Sequence, residues 1–86
     1  MLNGRYRYGI GTDVDVKETS KIYRLRLVSV DAADWCPHLE QLFFNGVDDA
    51  RYIRKESNHH KIIDWKDGSF TIYPYRSGVP YYFEKI

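Results

Sequence analysis

The chain has 86 residues, a net charge of +1 and many aromatic rings (two Trp, eight Tyr, four Phe). A chain of that size makes one domain, residues 1–86, with a thin core to which the rings must contribute. Near-neutral charge excludes the acidic surface of a nucleic-acid mimic and the basic balance of a general nucleic-acid coat, and ordinary apolar and charged fractions exclude whole-chain disorder.

Cys36 is the one cysteine and can form no internal disulfide, which points to a reducing, cytoplasmic setting. The opening "LNGRYRYG" is polar. With neither an apolar signal segment nor a membrane-spanning run, no membrane role is expected.

In chain order, "RYRYGI" alternates strictly: Tyr6, Tyr8 and Ile10 point one way, Arg5 and Arg7 the other. Period two means strand. "GTDVDVKETS", Gly11 to Ser20, is polar and charged and reads as a long hairpin loop, with at most a little extended structure around Val14 and Val16. "IYRLRLVSV" alternates again, Tyr23, Leu25 and Leu27 opposite Arg24 and Arg26. Val28 and Val30 then fall on the arginine side, so a bulge or a doubly covered strand end is expected near Leu27.

"DAADWCPHLEQLFFNG" switches period. Trp35, Leu39, Leu42 and Phe43 fall at i, i+4, i+7 and i+8, one face of a helix. Asp31 or Asp34 can cap its start, Pro37 is tolerated in the first turn, and Asn45-Gly46 is a stop signal. The spacing predicts a helix over 34–44; the rival reading ends "QLFFNGV" in a strand. "DDARYIRKES" fits either a short helix capped by Asp48 or a strand over 51–56, and strand suits the meander that follows.

"HKIIDWKDGSFTIYPY" contains Asp67-Gly68, a two-residue hairpin signal. That turn pairs Trp65 with Phe70, Ile63 with Ile72 and Ile62 with Tyr73. Ile63, Trp65, Phe70 and Ile72 then share an apolar face, while Ile62, Thr71 and Tyr73 share the other. A last strand beginning at Pro80 suits a sheet edge. Pairing Tyr75 with Pro80 and Tyr73 with Tyr82 sets Phe83 in the core and leaves Tyr73, Tyr75 and Tyr82 on the opposite face.

The fold expected is α+β: a small, mostly antiparallel sheet of five to six strands, curled and barrel-like, with one main helix packed on it.

Two surfaces stand out as binding candidates. If residues 5–10 pair antiparallel with residues 21–27, Arg5, Arg7, Arg24 and Arg26 share one wall. Clustered guanidinium groups suit phosphates or carboxylates, which they grip bidentately. The bland account is a solvated outer face neutralised by Asp13, Asp15 and Glu18. The second candidate is the ring set Tyr73, Tyr75 and Tyr82, either partly buried by curling of the sheet or held open for a partner.

Catalytic signals are weak. His59 and His60 point to opposite faces of a strand and cannot easily share a metal ion, with His38 a distant third. Cys36 has no base suitably placed beside it. No catalytic residue, metal or cofactor is assigned.

The function expected is non-enzymatic: a small regulator or inhibitor that docks on another protein. The alternatives are a nucleic-acid-binding module, with arginines on phosphates and tyrosines on bases, and a ribonuclease-type toxin using His59 or His60. A homodimer through the C-terminal edge strand is a further expectation.

Overall fold

Thr12, Val14 and Val16 are buried while Asp13, Asp15 and Lys17 face outward, so the segment read as a loop is a central strand. The computed structural model describes residues 1–31, 37–43, 50–76 and 78–86. Its elements are β1 (Asn3–Tyr8), β2 (Thr12–Glu18), β3 (Ile22–Val30), α1 (Pro37–Phe43), β4 (Ala50–Arg54), β5 (His60–Asp64), β6 (Phe70–Pro74) and β7 (Tyr81–Lys85). The seven strands form one sheet in the order β4-β3-β2-β1-β7-β6-β5, curled into a nearly closed antiparallel barrel.

The α+β expectation is therefore corrected. The protein is nearly all sheet, with seven strands rather than five or six. Its one described helix, α1, is seven residues long, lies against β4 and adds Leu39, Leu42 and Phe43 to the core of the sheet. Leu39, Leu42 and Phe43 are buried as the helical spacing predicts. Trp35, the Asp34 cap, Cys36 and the Asn45-Gly46 stop lie outside the described residues. The strand reading of the segment after Asp48 is the one observed, as β4 over Ala50–Arg54.

Strand parity explains why the barrel does not close. Six antiparallel pairings lead from β4 round to β5, so these two strands run in the same direction. A parallel pair needs a crossover of about a dozen residues or more. Only residues 55–59 connect β4 to β5. No ladder forms between them, and the seam stays open.

The 64–70 hairpin also differs in register from the expected one. Trp65 N–H donates to the Ser69 carbonyl (2.9 Å) and Gly68 N–H donates to the Trp65 carbonyl (3.3 Å), with Gly68 at φ +90°. This is a three-residue loop with glycine in the left-handed position, not a two-residue turn. The Asp67 carboxylate reinforces it by accepting from Ser69 N–H (3.0 Å) and from the Ser69 hydroxyl. Ile62 now faces Ile72, and Ile63 faces Thr71. A slip of one residue swaps faces. Ile62 therefore joins the core, whereas Ile63 and Trp65, expected inside, lie on the outer side. The β6–β7 pairing differs by two residues, Phe70 facing Phe83 and Thr71 facing Tyr82, and a shift of two keeps faces. Phe83 is buried as expected.

The rings inside pack on one another. Phe70 and Phe83 stack at 4.7 Å and 9°, and Tyr6 meets Phe70 edge-on at 4.9 Å and 80°. Tyr8 leans on Phe83 at 5.5 Å. Each fully buried aromatic side chain stabilises the fold by about 2–3 kcal/mol through area alone. The bulge expected near Leu27 is present: Val14 faces Leu27 while Asp13 faces Ser29, so Val28 is the extra residue. Finally, β7 is no edge. It pairs with β1 on one side and β6 on the other, which removes the ground for dimerisation through that strand. The edges are β4 and β5.

Candidate binding surface

Strand alternation puts every even–odd choice of β1–β4 on a definite side of the barrel wall. Tyr6, Val14, Val16, Leu25 and Ile53 go in. Their neighbours go out, and the outer wall carries charge in rungs. One rung reads Arg5, Asp15, Arg26; the next reads Asn3, Lys17, Arg24, Tyr52; a third reads Glu84, Arg7, Asp13, Ser29.

Arg5, Arg7, Arg24 and Arg26 thus share the outer wall, but β2 runs between the two pairs and treats them differently. Arg5 Nε donates to Asp15 Oδ1 at 3.1 Å, and Arg7 Nε donates to Asp13 Oδ1 at 3.0 Å. The hydrogen bond from Arg5 to Asp15, with their charge attraction, raises the Arg5 pKa, and Asp13 does the same for Arg7. These two arginines are neutralised in place. Arg24 and Arg26 are exposed and make no ion pair among the described residues. The same holds for Lys17 on β2 and Arg54 on β4. Tyr52, opposite Arg24, is 61% exposed in the middle of this group. An adjoining cleft of about 480 Å³ is lined by Ser20, Lys21, Ile22, Arg54, Lys55 and Glu56.

Glu18, the third acid expected to neutralise the arginines, is engaged elsewhere. Its Oε1 accepts from Leu2 N–H at 2.7 Å and its Oε2 from Lys55 Nζ at 2.7 Å. Burial alone would raise the Glu18 carboxyl; the bonds from Lys55 and Leu2 outweigh it and hold the group below its ordinary value. Glu18 pins the amino-terminal end of the chain to the turn after β4.

The tyrosine set lies apart from these cations. Tyr82 is 45% exposed on the outer wall opposite Thr71, Tyr75 is exposed beyond β6, and Tyr73 is half-buried. Along the sheet, β7, β1 and β2 lie between Tyr73 on β6 and Arg24 on β3. Trp65 borders the ring surface, its Nε1 donating to Thr71 Oγ1 at 2.8 Å.

His59 is exposed, whereas His60 points inward opposite Pro74, on the same face as Ile62 and Ile72. The two imidazoles do not converge. Among the described residues, no group of three or more His, Cys, Asp or Glu is arranged to hold a metal ion, and no helix is long and apolar enough to cross a membrane.

Sequence reasoning missed two positions. Thr12 Oγ1 and Arg51 Nε are buried without a hydrogen-bond partner among the described residues. Arg51 stands opposite Leu25, on the inner wall. The signal was present in "ARYIR", where Arg51 and Ile53 share a parity, once that segment is taken as a strand.

Fold and surface together define a small antiparallel β-barrel with an unpaired cationic outer face. Comparison with protein-family models, with curated proteins and with solved structures gives no match.

Proposed function

We propose that the protein is a non-enzymatic binding module, a small regulator or inhibitor that docks on an acidic surface of another protein through the outer wall of β2–β4. The observation that carries this reading is the contrast across β2. Arg5 and Arg7 have carboxylate partners 3.0–3.1 Å away, whereas Arg24, Arg26, Lys17 and Arg54 stand exposed around Tyr52 with none among the described residues. Uncompensated like charges on one wall repel, and a partner carboxylate relieves that repulsion while gaining bidentate bonds. Tyr52 supplies an amphipathic ring of the kind enriched where interfaces are tightest. A lone cysteine is in keeping with a reducing, cytoplasmic setting for this activity.

Nucleic acid is the second reading, favoured by one feature: Tyr52 shares a rung with Arg24, so a base could stack where a phosphate is held. The net charge of +1 weighs against it.

Affinity capture from the native host tests both. The wild-type chain is expected to retain an acidic protein that Arg24→Glu/Arg26→Glu loses and that survives nuclease treatment and moderate salt. Retention that vanishes with nuclease and falls steeply with salt selects nucleic acid. Identical capture by both chains removes the docking surface.

A further inference from the structure

The open seam between β4 and β5 holds a second cationic feature, built from side chains on the inner side of the sheet. Arg51 faces inward with Ile53, opposite Leu25, which is fully buried. His60 faces inward with Ile62, opposite Pro74. These two strands are the edges of the sheet among the described residues, and Arg51 and His60 line the same opening there. A cleft of about 370 Å³ lies there, lined on β4 by Arg51 and Ile53 of the inner side and by Tyr52 and Arg54 of the outer wall, and by the connection from Glu56 to His60.

Two further observations point to a missing ligand. Arg51 Nε has no acceptor among the described residues although it is shielded from solvent. A buried donor on a charged group is costly to leave unpaired, so folds seldom keep one without a use. His60 also senses Arg51 directly: burial first, then the positive guanidinium and His59, lower its affinity for a proton. An anion between the two groups would pair the guanidinium and counter its repulsion of a proton on His60. It accepts from the guanidinium fork and offsets the positive charge that, after burial, lowers the His60 affinity for a proton. The cleft is at the small end of ligand pockets, which suits a compact anion rather than a cofactor.

We propose that the β4/β5 seam is a binding site for a small oxyanion, a phosphate or a carboxylate group, gripped by Arg51 and hydrogen-bonded by His60. The site adjoins the docking wall: Arg51 and His60 point to the inner side of the sheet, while Tyr52 and Arg54 of that wall line the same cleft.

The test is NMR titration of the full chain with inorganic phosphate and, separately, with acetate, following the Arg51 Nε–H and the His60 ring signals. Saturable shifts at both residues with phosphate, stronger than with acetate, identify a phosphate site; the reverse order identifies a carboxylate site. Arg51→Lys keeps the charge but loses the fork, and is expected to weaken binding at least about tenfold, since a charged hydrogen bond contributes about 1.5–3 kcal/mol. His60→Asn is expected to weaken it less. Lys66→Ala, in the exposed turn, is the control and leaves binding unchanged. An unaltered amide spectrum in Arg51→Lys shows that the fold survives. Shifts that never saturate, or that spread evenly over the surface lysines and arginines, overturn the proposal, as does a bound water alone at Arg51 Nε with no response to either anion.

Discussion

The Lys85 ammonium lies directly over Gly4 and donates a 2.6 Å hydrogen bond to the Asn3 carbonyl. Lys85 is the register partner of Tyr6, whose ring it overlies at 4.6 Å. A charged side chain on the inner side of the last strand thus covers the core ring at its end while keeping its head in water. Gly4 makes this possible twice over. It adopts φ +114°, and a Cβ there would occupy the ammonium's place.

Gly4→Ala is expected to destabilise the protein by about 1–3 kcal/mol, the usual cost of a side chain held in a sparsely populated backbone region. Chemical denaturation measures it. In a Lys85→Ala background the same substitution should cost less, because only the backbone strain remains. Equal costs in both backgrounds would show that Lys85 does not occupy the space above Gly4.

Phe70 is the centre of the aromatic stack, fully buried against Phe83 and Tyr6. Phe70→Ala is expected to cost about 3–5 kcal/mol, the transfer and cavity terms for a buried ring together. In a domain this small, that loss is a large share of total stability. Phe70→Leu should cost visibly less in the same denaturation experiment.

Glu18 gives the fold an acid-sensitive tie. Its folded pKa lies below the ordinary value, so the stability it contributes is present above the unfolded pKa and is lost as pH falls through the folded one. Glu18→Gln should lower the melting temperature at neutral pH. As pH drops through the acid range, the wild type should lose stability faster than the variant until the two curves meet. Parallel curves would show that the Lys55 and Leu2 bonds contribute nothing net.

Much of this barrel is readable from period-two alternation. Tyr6, Leu25, Phe83 and the bulge at Val28 are where the spacing puts them. β2 alternates just as regularly, Thr12, Val14 and Val16 against Asp13, Asp15 and Lys17, but its outer residues are so polar that composition outweighed period. That one error changed the site. With β2 absent, Arg5 and Arg7 become direct neighbours of Arg24 and Arg26, and the two pairs look equivalent. The hairpin failed for a different reason. Asp67-Gly68 suits both a two-residue turn and the last two positions of a three-residue loop, and the choice between them reverses the faces of Ile63 and Trp65. The inward side of Arg51 was legible from its parity with Ile53, but its lack of a partner was not. That depends on which side chains the rest of the fold brings to the β4 edge of the sheet.

The charge ladder supplies a prediction that runs opposite to ordinary loss of function. Asp13 and Asp15 mask Arg7 and Arg5 with hydrogen bonds of 3.0 and 3.1 Å. Asp13→Asn/Asp15→Asn keeps the side-chain shape and removes both negative charges, which exposes two more cations beside Lys17, Arg24 and Arg26. If the β2–β4 wall docks on an acidic protein, the double variant should bind that partner more tightly and associate faster, with the gain shrinking as salt is raised over a range where the screening length falls from about 10 Å to about 3 Å. Arg5→Gln/Arg7→Gln frees the Asp15 and Asp13 carboxylates on this wall and should weaken binding moderately. Arg24→Glu/Arg26→Glu should reduce it by far more. Surface plasmon resonance with the captured partner compares all three. Weaker binding by the Asn variant, or equal losses at the two arginine pairs, would mean that the partner does not read this wall by its free positive charge.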